Sequence, residues 1–222
     1  MNQKSKMWYL SHFNLAKRLK KKELMYLCDN SIMQDYNQTD KLINSYDQNK
    51  NIYFLKKGTL KLTRVNEDGH ELLTYLIPKG SIFGITQLLT DEYEGNEVVA
   101  AMQDSLVCKV SMNLFRELME KNSVLNNYVL KLSGLKIRKL ENKLENVLFK
   151  SAEARIRTFI KNFVQEYGID RGPFFEVETF LKNKDIASLT NSNRQKVNQI
   201  MNKMKREKII DFDSFSLKHF KS

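Results

Sequence analysis

Residues 184–200 read KDIASLTNSNRQKVNQI, and this stretch decides the architecture of the C-terminal part of the chain. Two helices crossing over a short turn need a small residue where they touch, a residue tolerant of left-handed backbone in the turn, and apolar side chains on their inner faces. Ala187 supplies the first, Asn191 the second, and Ile186, Leu189, Val197 and Ile200 the third. Asn193 stands where it can cap the second helix, so Arg194, Gln195 and, one turn on, Gln199 project from its exposed N-terminal part. Those side chains suit base edges: arginine bonds guanine bidentately and glutamine does the same with adenine, each pair being worth about 1–3 kcal/mol of discrimination.

The flanks extend this unit. Phe174-Phe175-Glu176-Val177-Glu178 alternates like a short strand, and Ile209–Phe212 and Phe215–Leu217 flank a two-residue turn at Asp213-Ser214. Such a hairpin would be the wing of a winged helix-turn-helix. Between Lys182 and Lys208 there are eight basic and two acidic residues, a surplus of six within a net charge of +11 for the whole chain. Asn193, Lys182, Lys184, Lys196, Lys203 and Lys205 are therefore the expected phosphate contacts, which position a protein on DNA and make its binding salt-dependent.

Toward the N-terminus the texture changes. From about Lys41 to Val110, apolar runs such as Ile52–Leu55, Leu60–Val65, Leu72–Ile77 and Leu106–Val110 are punctuated at Lys57-Gly58, Glu67-Asp68-Gly69 and Pro78-Lys79-Gly80, which reads as an antiparallel β unit, a small barrel or jelly roll. Residues 9–28 predict one or two short surface helices. After Ser111 the period becomes helical through Leu114, Leu118 and Met119, and a long helix follows from about Val124 to Phe149. In it Leu130, Ile137 and Leu144 recur every seven residues with Leu140 and Val147 between them, flanked by Lys and Glu, the pattern of a seam that pairs two copies. Residues 151–168 predict a further helix through Ile156, Phe159, Ile160 and Phe163, closed by Gly168 in the left-handed position. The expected domains are 1–123, 124–150 (the long helix) and 151–222.

The composition, 41% hydrophobic and 28% charged with 2 Pro and 8 Gly, belongs to globular chains, and the net charge favours a polyanionic partner. Met1–Leu10 has no apolar export core and no long uncharged apolar run occurs, so a cytoplasmic protein without membrane contact is expected. Cys28 and Cys108 read as buried apolar residues. His12, His70 and His219 are scattered without metal-ligand spacing, so no metal is expected, and a single His70 in the β unit cannot support a jelly-roll metalloenzyme.

Three stretches make the chain resemble the Crp/Fnr family over nearly its whole length: Phe54-Leu55-Lys56-Lys57-Gly58 with the Asp68-Gly69 turn, Gly80-Ser81-Ile82-Phe83-Gly84 followed by Leu88, and Asp185 to Ile200. The resemblance implies an α+β chain: an antiparallel β-roll (jelly-roll-like) sensor domain resembling cyclic-nucleotide-binding domains, a long dimerisation helix and a C-terminal winged helix-turn-helix. It implies a non-enzymatic, sequence-specific transcription regulator acting as a homodimer on a two-fold symmetric operator. Expected partners are double-stranded DNA, a second copy of the chain and RNA polymerase. The family opens its recognition helix with serine, arginine and glutamate; here Asn193, Arg194 and Gln195 stand there, and glutamine for glutamate shifts the expected half-site.

The sensor half departs further. Cyclic-nucleotide binders of the family grip ribose with Gly-Glu and phosphate with Arg-Ser or Arg-Thr, whereas here Ile85 follows Gly84 and Tyr93-Glu94-Gly95-Asn96-Glu97 lacks arginine. Leu140 and Glu141 replace the hydroxyl residues that meet the purine. A phosphate near Glu94 and Glu97 would be repelled, so no response to cyclic AMP is expected. The cysteine set of the iron-sulfur members is absent, and no cofactor is expected. Phe83, Gly84, Ile85, Leu88, Gly95 and Asn96 form the candidate pocket for an unidentified small-molecule effector. The competing reading is a β-roll interaction module whose C-terminal helices bind a protein partner.

Overall fold

The computed structural model describes residues 3–44, 50–90 and 96–221. It divides into two compact units, Met1–Lys139 and Leu140–Ser222, a division that falls within the long helix. The fold is α+β, with an antiparallel β-roll followed by a long helix and a C-terminal winged helix-turn-helix.

In the first unit, α1 (Gln3–Ser11) and α2 (Lys21–Asp29) precede β1 (Ile32–Tyr36), β2 (Lys41–Ile43), β3 (Asn51–Lys57), β4 (Thr59–Val65), β5 (Glu71–Pro78), β6 (Ile82–Phe83), α3 (Ile85–Thr90), β7 (Glu97–Ala101), β8 (Ser105–Ser111) and α4 (Met112–Lys121). Two four-stranded sheets, β1-β8-β3-β6 and β2-β7-β4-β5, are antiparallel at every pairing. Side chains alternate across a strand, and β3 shows the consequence. Its Tyr53 and Leu55 join Leu60, Leu62, Val99 and Val107 in the roll interior, while its Ile52 and Phe54 face a second core built with the helices. There Phe54 meets Phe13 edge-on at 5.3 Å. The N-terminal helices are thus not mere surface cover, since Leu10, Phe13, Leu15 and Leu27 are core residues. Cys28 and Cys108 are buried in the same core, and burial pushes the Cys28 thiol up to about 11.

The turns follow their glycines. Gly69 has φ 78 and closes the Glu67-Asp68-Gly69 loop, with the Gly69 N–H donating to Asn66 O at 3.0 Å. Gly58 has φ 86, and an added Cβ there would collide with the Asp104 carbonyl and Ser105.

α5 (Ser123–Phe149) buries Leu125 and Val129 in its first turns. Further along, Leu130, Ile137, Leu140 and Leu144 are all at least half exposed, and Val147 is partly exposed. Among the described residues no helix is long and apolar enough to cross a membrane.

The second unit contains α6 (Ala152–Tyr167), β9 (Ile169–Asp170), β10 (Phe174–Glu178), α7 (Asn183–Leu189), α8 (Arg194–Arg206), β11 (Ile210–Phe212) and β12 (Ser216–Phe220), the strands ordered β11-β12-β10-β9. Two local expectations are corrected. Gly168 has an extended backbone, φ −87 and ψ 169. Its lack of a side chain serves close approach instead, because a Cβ would collide with the carbonyls of Val164 and Glu176. The wing turn lies one residue later than Asp213-Ser214: Asp213 N–H donates to Ser216 O at 3.0 Å, and the Asp213 carboxylate accepts from the Phe215 and Ser216 amides. Phe215 is left 81% exposed at the tip.

Candidate nucleic-acid interface

α7 starts where the Asp185 carboxylate accepts the Lys182 N–H at 2.9 Å. It ends in a turn that Asn191 takes at φ 48, a conformation asparagine tolerates better than most residues. Ser192 N–H donates to Ala187 O at 2.9 Å and the Thr190 hydroxyl to Ile186 O at 2.7 Å, closing the turn. Asn193 Oδ1 then accepts Lys196 N–H at 2.8 Å, capping α8. Ile186, Ala187, Val197 and Ile200 are buried and Leu189 half-buried.

α8 buries Val197, Ile200, Met201 and Met204. At 3.6 residues per turn the opposite face carries Gln195, Gln199, Asn202 and Arg206, with Arg194 and Asn198 on its flank; all six are exposed. The sequence reading named Arg194, Gln195 and Gln199 but missed Asn198, Asn202 and Arg206, which the same periodicity would have found had it been carried past the second turn.

Among the expected phosphate contacts, Lys182 and Lys184 are exposed and Lys196 is half-buried at the α8 N-terminus. Lys203 and Lys205 are paired within the chain. Lys203 Nζ lies 2.8 Å from Glu153, and Arg157 bridges Glu153 and Glu207 at 2.9 and 2.7 Å, a network tying α8 to α6. Lys205 Nζ pairs with Asp211 at 2.7 Å and donates to Phe212 O. Both ammoniums are engaged within the chain, and their carboxylate partners are held below the ordinary range first by these bonds.

The described apolar residues of the candidate effector pocket divide between the two cores. Ile85 and Leu88 are buried in the helical core, whereas Phe83 stacks on Tyr53 at 4.8 Å and packs against the roll interior. Gly84 has φ 92, and Gly95 lies outside the described residues. Polar residues gather nearby. Arg64 and Gln87 both reach Glu97, at 3.3 and 3.1 Å, and Lys136 Nζ donates to Thr86 Oγ1 at 2.6 Å. Burial pushes the Tyr75 phenol up to about 12. Asn96 Oδ1 and Thr63 Oγ1 are buried without a hydrogen-bond partner. Among the described residues no group of three or more His, Cys, Asp or Glu could hold a metal ion.

Residues 33–122 match the cyclic nucleotide-binding domain family. The anaerobic regulatory protein of Bacillus subtilis (strain 168) is 20% identical over 162 residues, 73% of this chain and 68% of that one. The global nitrogen regulator of Synechococcus elongatus is 24% identical over 165 residues, 74% of each chain. The crystal structure of a putative Crp/Fnr-family transcriptional regulator from Eubacterium rectale shares the fold, with a TM-score of 0.71 at 15% identity over 95% of this chain and 94% of that one. Over about three quarters of its length the chain is similar to transcription regulators of the Crp/Fnr type. All three carry regulatory names. The cyclic nucleotide-binding-type domain here keeps the β-roll without a Gly-Glu pair, because Ile85 takes the place after Gly84 and is buried in the core.

Proposed function

We propose that this chain is a Crp/Fnr-type transcription regulator, a cytoplasmic homodimer that reads a two-fold symmetric operator in double-stranded DNA through α8, without cyclic AMP. The observation that carries the reading is the outer face of α8: Arg194, Gln195 and Gln199 stand exposed on a helix whose inner face is buried and whose N-terminus is capped. Arginine and glutamine at the N-terminal end of such a helix read guanine and adenine in the major groove. Asn202 and Arg206 extend the same face. Lys182, Lys184, Lys196 and Asn193 contact phosphates, while Lys203 and Lys205 hold the domain together.

In this reading 1–123 is the sensor domain, 124–150 the dimerisation helix and 151–222 the DNA-binding domain. Leu130, Ile137, Leu140, Leu144 and Val147 form the seam; their exposure on one chain supports a second helix covering them. RNA polymerase is the machinery on which the bound dimer acts.

In-vitro selection from random duplexes, without added ligand, tests this. The wild type enriches a two-fold symmetric site, and Arg194→Ala loses about 1–3 kcal/mol with relaxed preference at one position of each half-site. No enrichment by the wild type, with or without cell extract, would contradict it.

A further inference from the structure

α5 and α7 both end within reach of one guanidinium. The last carbonyls of a helix have no donor inside that helix, and a cation there is favoured by the helix dipole. Arg155, on the first turn of α6, donates from Nε to Thr190 O at 2.8 Å and from Nη2 to Asn191 O at 2.7 Å. Its Nη1 donates to Lys150 O at 2.7 Å, directly after the end of α5. One rigid fork thus satisfies the turn between α7 and α8 and the end of the long helix. The turn's own bonds, from Thr190 to Ile186 and from Ser192 to Ala187, stay local to residues 186–192. The ion network of Glu153, Arg157, Lys203 and Glu207 holds the far end of α8 to α6.

We propose that Arg155 is a positioning residue for DNA reading: it pins the helix-turn-helix turn to the end of α5 and so fixes the direction in which α8 leaves the dimer helix. The inference rests on α8 being the recognition helix. Arg155 acts through the backbone of the turn, and its effect falls on half-site spacing, not base identity. A lysine ammonium is a single point charge and cannot hold three carbonyls in the fixed directions of a planar fork.

The test uses the full-length protein and the operator that the wild type enriches, resynthesised with one base pair added to or removed from the segment between half-sites. The variants are Arg155→Lys and Arg155→Gln, each checked for a cooperative melt. The expected result is a loss of about tenfold on the parent spacing, the worth of one charge-assisted hydrogen bond, with less change on the two altered spacings, so that spacing discrimination narrows. Arg194→Ala should instead weaken all three duplexes in parallel. Unchanged spacing discrimination, or an equal loss on all three duplexes, would overturn the proposal. So would failure of both variants to fold, since Arg155 would then support the domain as a whole and not the direction of α8. No enrichment by the wild type is a different failure: it removes the DNA reading and takes this inference with it.

Discussion

Gly58 and Lys208 occupy the same left-handed region of backbone with opposite consequences. Gly58, at φ 86, sits where a Cβ would strike Asp104 O and Ser105. Gly58→Ala should therefore destabilise the first unit by about 2 kcal/mol or more, combining backbone strain with a buried clash, as chemical denaturation would show. Lys208, at φ 58, follows the C-terminus of α8, where Ile209 N–H returns to Met204 O and Lys208 N–H to Lys205 O. This is the position that glycine favours after a helix. Lys208→Gly should raise the stability of the second unit by up to about 1 kcal/mol, the left-handed strain relieved less the entropy glycine loses on folding. At this scale the sequence was legible where chemistry is local: Asp68-Gly69 announced its turn and Asn191 its φ. It was not legible where the reason lies far along the chain. Gly168 is required by the approach of Glu176, and the partners of Lys203 and Lys205 could not be seen before Glu153 and Asp211 were brought beside them.

Elements depend on ends and faces. The α8 cap on Asn193 should contribute about 1 kcal/mol, which Asn193→Ala would remove in a thermal or denaturant melt. The ties between α6 and α8 titrate. Glu207 is held below its ordinary value first by its bond to Arg157, and Glu153 first by its bond to Lys203. A carboxylate depressed in the fold adds stability above its unfolded value, and that stability is lost as pH falls through the folded value. The melting temperature of the second unit should accordingly decline as pH drops below about 4.5, the ordinary glutamate value. Glu153→Gln with Glu207→Gln should flatten that decline, and an unaltered profile would show that the network contributes nothing. Helices were the most readable elements, because α5 and α6 carry sustained apolar periods. β1 was missed because it is an edge strand whose Gln34 and Asp35 are exposed, leaving little alternation to detect. β3 reads as an unbroken apolar run because both of its faces are buried, one under helices and one inside the roll.

For the whole molecule, the proposed dimer joins these parts. Ile137→Lys with Leu144→Lys leaves the buried Leu125 and Val129 untouched, so each chain should keep its fold while sedimentation shows monomers; a dimer that survived would remove α5 as the seam. Specific affinity should fall steeply with salt, since each neutralised phosphate releases counterion. The fold was legible through the order of the β unit, the heptad helix and the winged helix-turn-helix. The sensor site was not: which side of the roll Ile85 and Leu88 face depends on how α3 packs, and Arg64, Gln87 and Glu97 meet only after folding. Hydroxyl-radical footprinting of the enriched duplex tests the central claim most directly. Two protected patches about one helical turn (~34 Å) apart, related by a dyad, are predicted for two α8 helices held by paired α5 helices. A single patch, or uniform protection without a dyad, would contradict it.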